Sequence, residues 1–338
     1  MILYIGNKLS RHGNTPTSVE TLGRLLSEYF HVKSVSHKKN KIFRLLEMLW
    51  SIVKYRHKTH FILIDTYSTS NFYYALLCAG MARCVGVPYI PVLHGGKLEN
   101  RLRFNAKMSD FIFKHAYANV APSGYLFKIF QKYGYNVDYI PNNIEIGNYP
   151  FTKRNSVRPK LLYVRAFSPV YNPQMALDVL ALLLQKYNDA SLCMVGPDRD
   201  GTLEEVQQKA TEMALNDKVI FTGKLSKEEW WKMSESYDIF INTTNIDNTP
   251  VSVMEAMALG LPVVSTNVGG IPYLVQDGKE AMLVDPNDAN AMAQKISLLI
   301  EHPSNAVELA KNARKKVESF DWKNVKMRWV ELLQGDNK

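Results

Sequence analysis

Cysteine is scarce in this chain of 338 residues: Cys78, Cys84 and Cys193 are too few and too unevenly placed for a disulfide scaffold or a structural zinc site. A reducing compartment follows. Long hydrophobic runs are missing too. The longest apolar stretch, Phe72 to Ala82, stops at Arg83 after 11 residues, about half a bilayer span. Met1 to Gly6 reads as a buried strand running into a glycine, not as a secretory leader, so a cytoplasmic location is expected. The loop after that strand lacks the Gly-x-Gly-x-x-Gly fingerprint, which argues against a dinucleotide-binding dehydrogenase.

Acidic residues are scarce in one half only. Residues 1–154 hold 21 Lys and Arg against 8 Asp and Glu, whereas residues 155–338 hold 20 against 24. A basic half points to a polyanion or an anionic membrane surface as partner, the plainer alternative being a solvated, solubilising face. Nucleic-acid binding fits the charge, but no module offers an element to enter a groove, so no nucleic acid is expected. With 46% hydrophobic residues the chain can bury substantial cores, which excludes global disorder.

Short β-rich runs alternate with longer helical patterns along the whole chain. Strands are expected at residues 2–5, 60–64, 89–93, 119–121 and 137–140, then at 160–164, 191–195, 219–222, 239–242, 263–265 and 281–284. Helical periodicity fills the intervals, including one helix over 101–115 and one over 251–259. This alternation predicts an α/β protein with parallel sheets covered on both faces. Pro150, Arg154, Pro159 and their polar neighbours break both periodicities from Asn148 to Pro159, the expected linker. The expected domains are residues 1–150 and 159–321, each doubly wound, with a last helix over 322–338. A ligand is expected in a cleft at the carboxyl ends of their strands.

One segment departs from the pattern. From Ile42 to Tyr55 only Arg44, Glu47, Ser51 and Lys54 are polar, three or four residues apart, a narrow stripe on a greasy helix. Lys38, Lys39 and Lys41 precede it, and Arg56 and Lys58 follow. Residues 38–58 therefore suit an anionic membrane interface with Trp50 as anchor, or equally a packed helix or the wall of an acceptor groove.

The strongest local signal runs from Asn242 to Gly270. Thr249 can cap a helix whose first turn holds Pro250, and Gly260 with Pro262 ends it. The free N–H groups at such a start, over Asn248, Thr249, Pro250, Val251 and Ser252, surround a place for an anion such as a diphosphate, proline itself lending no donor. Asp247 lies before the cap and Glu255 about one and a half turns inside, two acceptor carboxylates suited to sugar and ribose hydroxyls. An isolated acid in either place would ordinarily be a solvated or turn-closing residue.

This segment resembles the signature of the retaining glycosyltransferases of family 4, the glycosyl transferases group 1, which have the two-domain Rossmann-like GT-B architecture. That signature is two glutamates separated by seven residues, then Ala-Met-Ala-x-Gly-x-Pro-Val and a later Gly-Gly, matched here by Glu255 to Val263 and Gly269-Gly270 with Asp247 in place of the first acid. The resemblance implies that Glu255 holds the ribose, that Asp247 reaches the donor sugar and that Arg165 clamps the diphosphate. The family's Lys-Gly after that arginine is replaced by Pro169 to Pro173, so Lys224 or backbone donors would meet the remaining charge. Gly196 resembles the family's glycine turn beneath the nucleotide, and Phe221 to Leu225, with Gly223, the strand and turn that border the base.

In the first half, Gly13 and Asn14 resemble the family's glycine-rich loop, with Arg11 a possible phosphate or acceptor contact, and His94 its His-Gly near the anomeric carbon. Ser123 and Pro141-Asn142-Asn143 resemble a helix-start serine and a Pro-Asn-Gly turn. The implied reaction is metal-independent, cofactor-free transfer from a UDP- or GDP-sugar to a saccharide acceptor, lipid-linked in polysaccharide, lipopolysaccharide or capsule assembly. Rival readings are a nucleotide-sugar epimerase of the same fold and a non-catalytic nucleotide-sugar-binding protein.

Overall fold

The computed structural model describes residues 1–12 and 16–335. The chain divides into two compact units, residues 1–141 together with the chain from Val325 onward, and residues 142–324.

The first unit runs β1 (Ile2–Ile5), α1 (Ser18–Leu26), β2 (Val32–Val35), α2 (Lys41–Tyr55), β3 (Phe61–Tyr67), α3 (Phe72–Cys84), β4 (Tyr89–His94), α4 (Leu98–Phe104), α5 (Ala106–Phe113), β5 (Asn119–Ala121), α6 (Gly124–Lys132) and β6 (Val137–Tyr139). Its six strands are all parallel in the order β2-β1-β3-β4-β5-β6, so the order reverses between β1 and β3. β1 and β3 read as continuous apolar runs because side chains pointing to either face are buried. Ser123 caps α6, its hydroxyl accepting from the Leu126 N–H at 3.1 Å.

Two differences from the sequence pattern have local causes. β2 carries no strong signal because only Val35 is buried on this edge strand. The single helix expected over 101–115 is two helices, broken at Asn105 (φ −126°, ψ 43°), a backbone conformation neither helix can continue through.

α2 is turned inside out. Its buried side chains are Arg44, Met48, Ser51 and Ile52, while Ile42, Phe43, Leu46 and Trp50 are exposed. Arg44 tolerates burial because its guanidinium donates to the Lys38 carbonyl (2.8 Å), the Lys39 carbonyl (2.7 Å) and Asn7 Oδ1 (2.9 Å). Asn40 caps the helix, accepting from the Ile42 N–H at 2.9 Å.

The second unit runs β7 (Lys160–Val164), α7 (Pro173–Leu184), β8 (Ser191–Val195), α8 (Thr202–Glu212), β9 (Val219–Gly223), α9 (Lys227–Ser234), β10 (Ile239–Asn242), α10 (Val251–Ala258), β11 (Val263–Thr266), α11 (Ile271–Leu274), β12 (Met282–Val284), α12 (Ala289–Glu301) and α13 (Pro303–Glu318). Its parallel sheet has the order β12-β11-β10-β7-β8-β9, reversing between β7 and β10. Leu161 and Tyr163 belong to one core cluster and Leu162 to another, the period-two alternation of a strand buried on both faces.

The division falls at Pro141–Asn142, ahead of the segment from Asn148 to Pro159 whose composition reads as a linker. That segment is fastened to the second unit. Arg154 is buried and donates to the carbonyls of Tyr237 (2.9 Å), Ser234 (2.9 Å) and Gly260 (3.0 Å), and Arg158 pairs with Asp238 at 2.7 Å. The last helix, α14 (Trp322–Gln334), returns from Val325 onward to the first unit, where Arg328 donates to the Tyr139 carbonyl at 3.2 Å. Among the described residues no helix is long and apolar enough to cross a membrane.

Candidate functional site

In an open α/β sheet the strand order reversal leaves a crevice at the carboxyl ends of the two flanking strands. In the second unit those strands are β7, which runs into Arg165, and β10, which runs into the loop carrying Asp247. Arg165 and Asp247 form an ion pair there, and the Arg165 guanidinium lies 4.4 Å from the Tyr171 ring centroid. Burial pulls the guanidinium below its ordinary basicity. The turn that brings Tyr171 over Arg165 is pinned by the Thr243 hydroxyl, which donates to the Asn172 carbonyl at 2.8 Å, and by the Asn245 N–H on the Val170 carbonyl at 2.9 Å. This is the stretch Pro169 to Pro173.

Glycines set the backbone around that pair. A Cβ on Gly196 would run into the Arg165 carbonyl oxygen, and the Gly196 N–H donates to the Gly223 carbonyl at 2.9 Å. A Cβ on Gly270 would meet the Asn248 carbonyl oxygen, and the Gly270 N–H donates to the Asp247 carbonyl at 3.0 Å. Gly269, at φ +53°, is equally tight against Asp247. The two glycines therefore clasp the Asp247–Asn248 backbone and fix where the Asp247 carboxylate leaves the loop.

α10 starts at Val251, where the periodicity places it, but its cap differs. Pro250, not Thr249, takes the cap position (φ −70°, ψ 116°): its extended ψ leaves it outside the first helical turn, and it has no polar side chain to cap with. The first-turn N–H groups of Val251 and Ser252 precede any intrahelical acceptor, and the Ser252 hydroxyl is buried without a hydrogen-bond partner among the described residues. Asn248 is buried beside it and Val251 is exposed.

Glu255, on the same helix, is 4% exposed. Its Oε1 accepts from the Tyr149 hydroxyl at 2.8 Å and from Lys227 Nζ at 2.5 Å. Burial raises the Tyr149 phenol far above its usual range, and the Glu255 charge raises it further, so Tyr149 is a fixed donor. Its ring packs on Trp231 at 4.3 Å between centroids. Lys224 is exposed just past Gly223.

The first unit has a second constellation at its own reversal. β3 delivers Asp65, buried beneath Gly6 at the end of β1, and β4 ends in His94. His94 Nε2 lies 2.9 Å from Asp65 Oδ1, which also accepts from the Tyr4 hydroxyl at 3.0 Å. The Tyr67 ring stacks on the imidazole at 4.8 Å and 24°. Burial first and the Asp65 charge second raise the Tyr4 and Tyr67 phenols well above their usual range, which keeps both neutral around the carboxylate. Gly13 and Asn14 lie outside the described residues.

Arg165 and Asp247 thus meet at the reversal, Gly196 lies against Arg165 and is joined by a backbone hydrogen bond to Gly223 at the end of the edge strand β9, and Glu255 is held in a separate cluster of the same unit. Tyr149, Tyr171, Lys227 and Asp65 escaped the sequence reading. Asp65 had a usable signal, an acid inside the apolar strand Phe-Ile-Leu-Ile-Asp-Thr-Tyr. Tyr149 and Lys227 had none, since each reaches Glu255 only through the tertiary fold.

Residues 150–316 match the family model described as glycosyl transferases group 1. The sulfoquinovosyl transferase of Arabidopsis thaliana is 29% identical over 44% of this chain and 29% of its own length. The putative colanic acid biosynthesis glycosyltransferase WcaL of Escherichia coli K12 is 35% identical over 36% of this chain and 32% of its own. The chain thus spans about a third of the length of these two curated relatives. The structure of Anabaena Alr3699/HepE in complex with UDP and glucose superimposes with a TM-score of 0.80 at 18% identity, covering 99% of each chain. That likeness establishes the GT-B fold.

Proposed function

We propose, for a chain whose residues 150–316 belong to the glycosyl transferases group 1 family, that it moves a sugar from a nucleoside diphosphate sugar to an acceptor hydroxyl with retention of configuration. Glu255 carries this reading. It is a buried carboxylate at the signature position, supplied with a neutral donor from Tyr149 and a movable cation from Lys227, and a ribose diol can replace the Lys227 contact.

In the proposed step the bond from the anomeric carbon to the diphosphate oxygen breaks, and a bond from that carbon to the acceptor oxygen forms on the same face. The acceptor proton passes to the departing diphosphate. Arg165 and the first-turn N–H groups of Val251 and Ser252 stabilise the charge that develops on that leaving group. Asp247, released from Arg165, receives donor sugar hydroxyls, and His94, held by Asp65, contacts the sugar. The acceptor is proposed to be a lipid-linked saccharide of cell-surface polysaccharide assembly, at the cytoplasmic membrane face. The basic charge of residues 1–154 and the named role of the colanic acid relative support it.

Calorimetric titration with UDP, GDP and ADP, repeated on Glu255→Ala, tests the donor site. One nucleotide should bind, and the variant should weaken it by about 10- to 100-fold, the loss of charged hydrogen bonds to two hydroxyls. Equal affinity in both proteins would remove Glu255 from the ribose. UDP is the first nucleotide to try, being the ligand in the HepE complex.

A further inference from the structure

We propose that the outward face of α2, α3 and α5 seats the protein on an anionic lipid bilayer. The surface is read from exposure and charge alone and stands whether or not the sugar-transfer reading does.

α2 presents Ile42, Phe43, Leu46 and Trp50 to solvent, with Ile42 70% and Trp50 63% exposed. A helix on a soluble surface ordinarily puts such a stripe inward. This one cannot roll over, because Arg44 is bound on the opposite face to two carbonyls and Asn7, and Met48 and Ile52 fill the core beside it. The apolar stripe is held outward by the same contacts that satisfy the buried guanidinium.

The neighbouring helices continue the face. α3 packs against α2, the Tyr74 hydroxyl donating to the Lys41 carbonyl at 3.1 Å, and leaves Tyr73 and Leu77 exposed one turn apart. α5 packs on α3, with the Phe111 ring 3.6 Å from where a Gly80 Cβ would stand; Met108 and Phe111 are exposed along it, and Phe104 is exposed at the end of α4 just before it. The crossovers from β2 to β3, β3 to β4 and β4 to β5 all run the same way along the sheet, and the right-handedness general to such connections puts these helices on one side of it. The exposed apolar side chains therefore form a helix layer rather than scattered points, the kind of patch that marks an interaction surface.

Charge selects the occupant. Residues 38–115 carry 13 Lys and Arg against 4 Asp and Glu, and one of each sign, Arg44 and Asp65, is buried. A second copy docking through the same face would set two strongly basic surfaces together. Anionic head groups instead meet the bases at both ends of α2 and around α4, while the apolar residues enter the acyl boundary and Trp50 sits at the interface. Long basic side chains can follow the head groups while their stems cover apolar surface.

Flotation of the full chain with vesicles tests this. Vesicles of phosphatidylcholine and phosphatidylglycerol in roughly 2:1 proportion should bind at least about tenfold more protein than phosphatidylcholine alone, and added salt should reduce that excess. The variant Phe43→Ser/Leu46→Ser/Trp50→Ser should lose about tenfold or more of the binding, and Lys38→Glu/Lys39→Glu should lose the preference for the anionic lipid. An unchanged urea midpoint in each variant shows that it has folded, and Trp50→Ser alone serves where the triple variant has not. Equal binding to both vesicles, or unaltered binding by the folded variants, would overturn the proposal. So would a dimer seen by light scattering that the serine variant dissolves, since a second copy would then be the occupant.

Discussion

Arg165 and Asp247, like Glu255 and Lys227, neutralise each other within their own unit, so each carboxylate proposed to receive a hydroxyl already holds a cation. Donor binding then exchanges partners rather than burying new charge, and a released Lys227 becomes free to meet the diphosphate. Lys227→Met should weaken UDP about tenfold while leaving uridine binding unchanged or tighter, which parallel titrations of the two ligands would read. Gly270→Ala should drive the Asp247–Asn248 loop off its seat, and donor affinity should fall by more than about tenfold in calorimetry, because the added methyl meets a carbonyl oxygen that has nowhere to go. Asp65→Asn keeps the shape beside His94 but removes the charge that orients the imidazole. Steady-state kinetics should show kcat lowered about 100-fold with little change in donor affinity.

At the scale of elements, the strands of the second unit were legible because all but the edge strand β9 are buried on both faces, and α9 starts on an ordinary signal, Ser226 and Glu229 forming a capping box, whereas α11 and α13 were not singled out. β2 was not, since an edge strand with one buried residue lacks the apolar run that betrays its neighbours. α2 was legible as a helix but not in its rotation. A stripe of Arg44, Glu47, Ser51 and Lys54 looks like a solvent face, yet Arg44 and Ser51 point inward because nearby carbonyls and Asn7 compensate the guanidinium. Arg44→Met should therefore cost about 2–4 kcal/mol in urea unfolding, through the carbonyls and amide left without their donor.

For the whole molecule, pH acts through buried neutral acids. Burial raises the Cys78 thiol from its ordinary value of 9.0 to about 12, and the Tyr89 phenol to about 12. Between those values the unfolded chain releases the Cys78 proton while the folded chain keeps it. The stability this represents is complete below pH 9 and is lost as pH rises toward 12, at up to about 1.4 kcal/mol per pH unit for a single such group. Urea midpoints measured from pH 8 to pH 11 should fall accordingly. Alkylation at pH 8 should modify exposed Cys84 and spare Cys78 until the protein unfolds, as mass spectrometry of the peptides would show.

The alternation of β-rich runs with helical periodicity determined that this chain builds parallel sheets, and the segment from Asp247 to Gly270 carries the resemblance to the family whose model residues 150–316 match. Both are local patterns, written in residues close together along the chain. What only the tertiary structure decided is pairwise and long-range: that Arg165 meets Asp247, that Lys227 and Tyr149 converge on Glu255, that Asp65 backs His94, and that α2 turns its greasy side outward. Those choices depend on which buried donor finds which acceptor across the fold, and periodicity along one element carries no record of a partner 60 or 100 residues away, such as Glu255 for Tyr149 at a separation of 106.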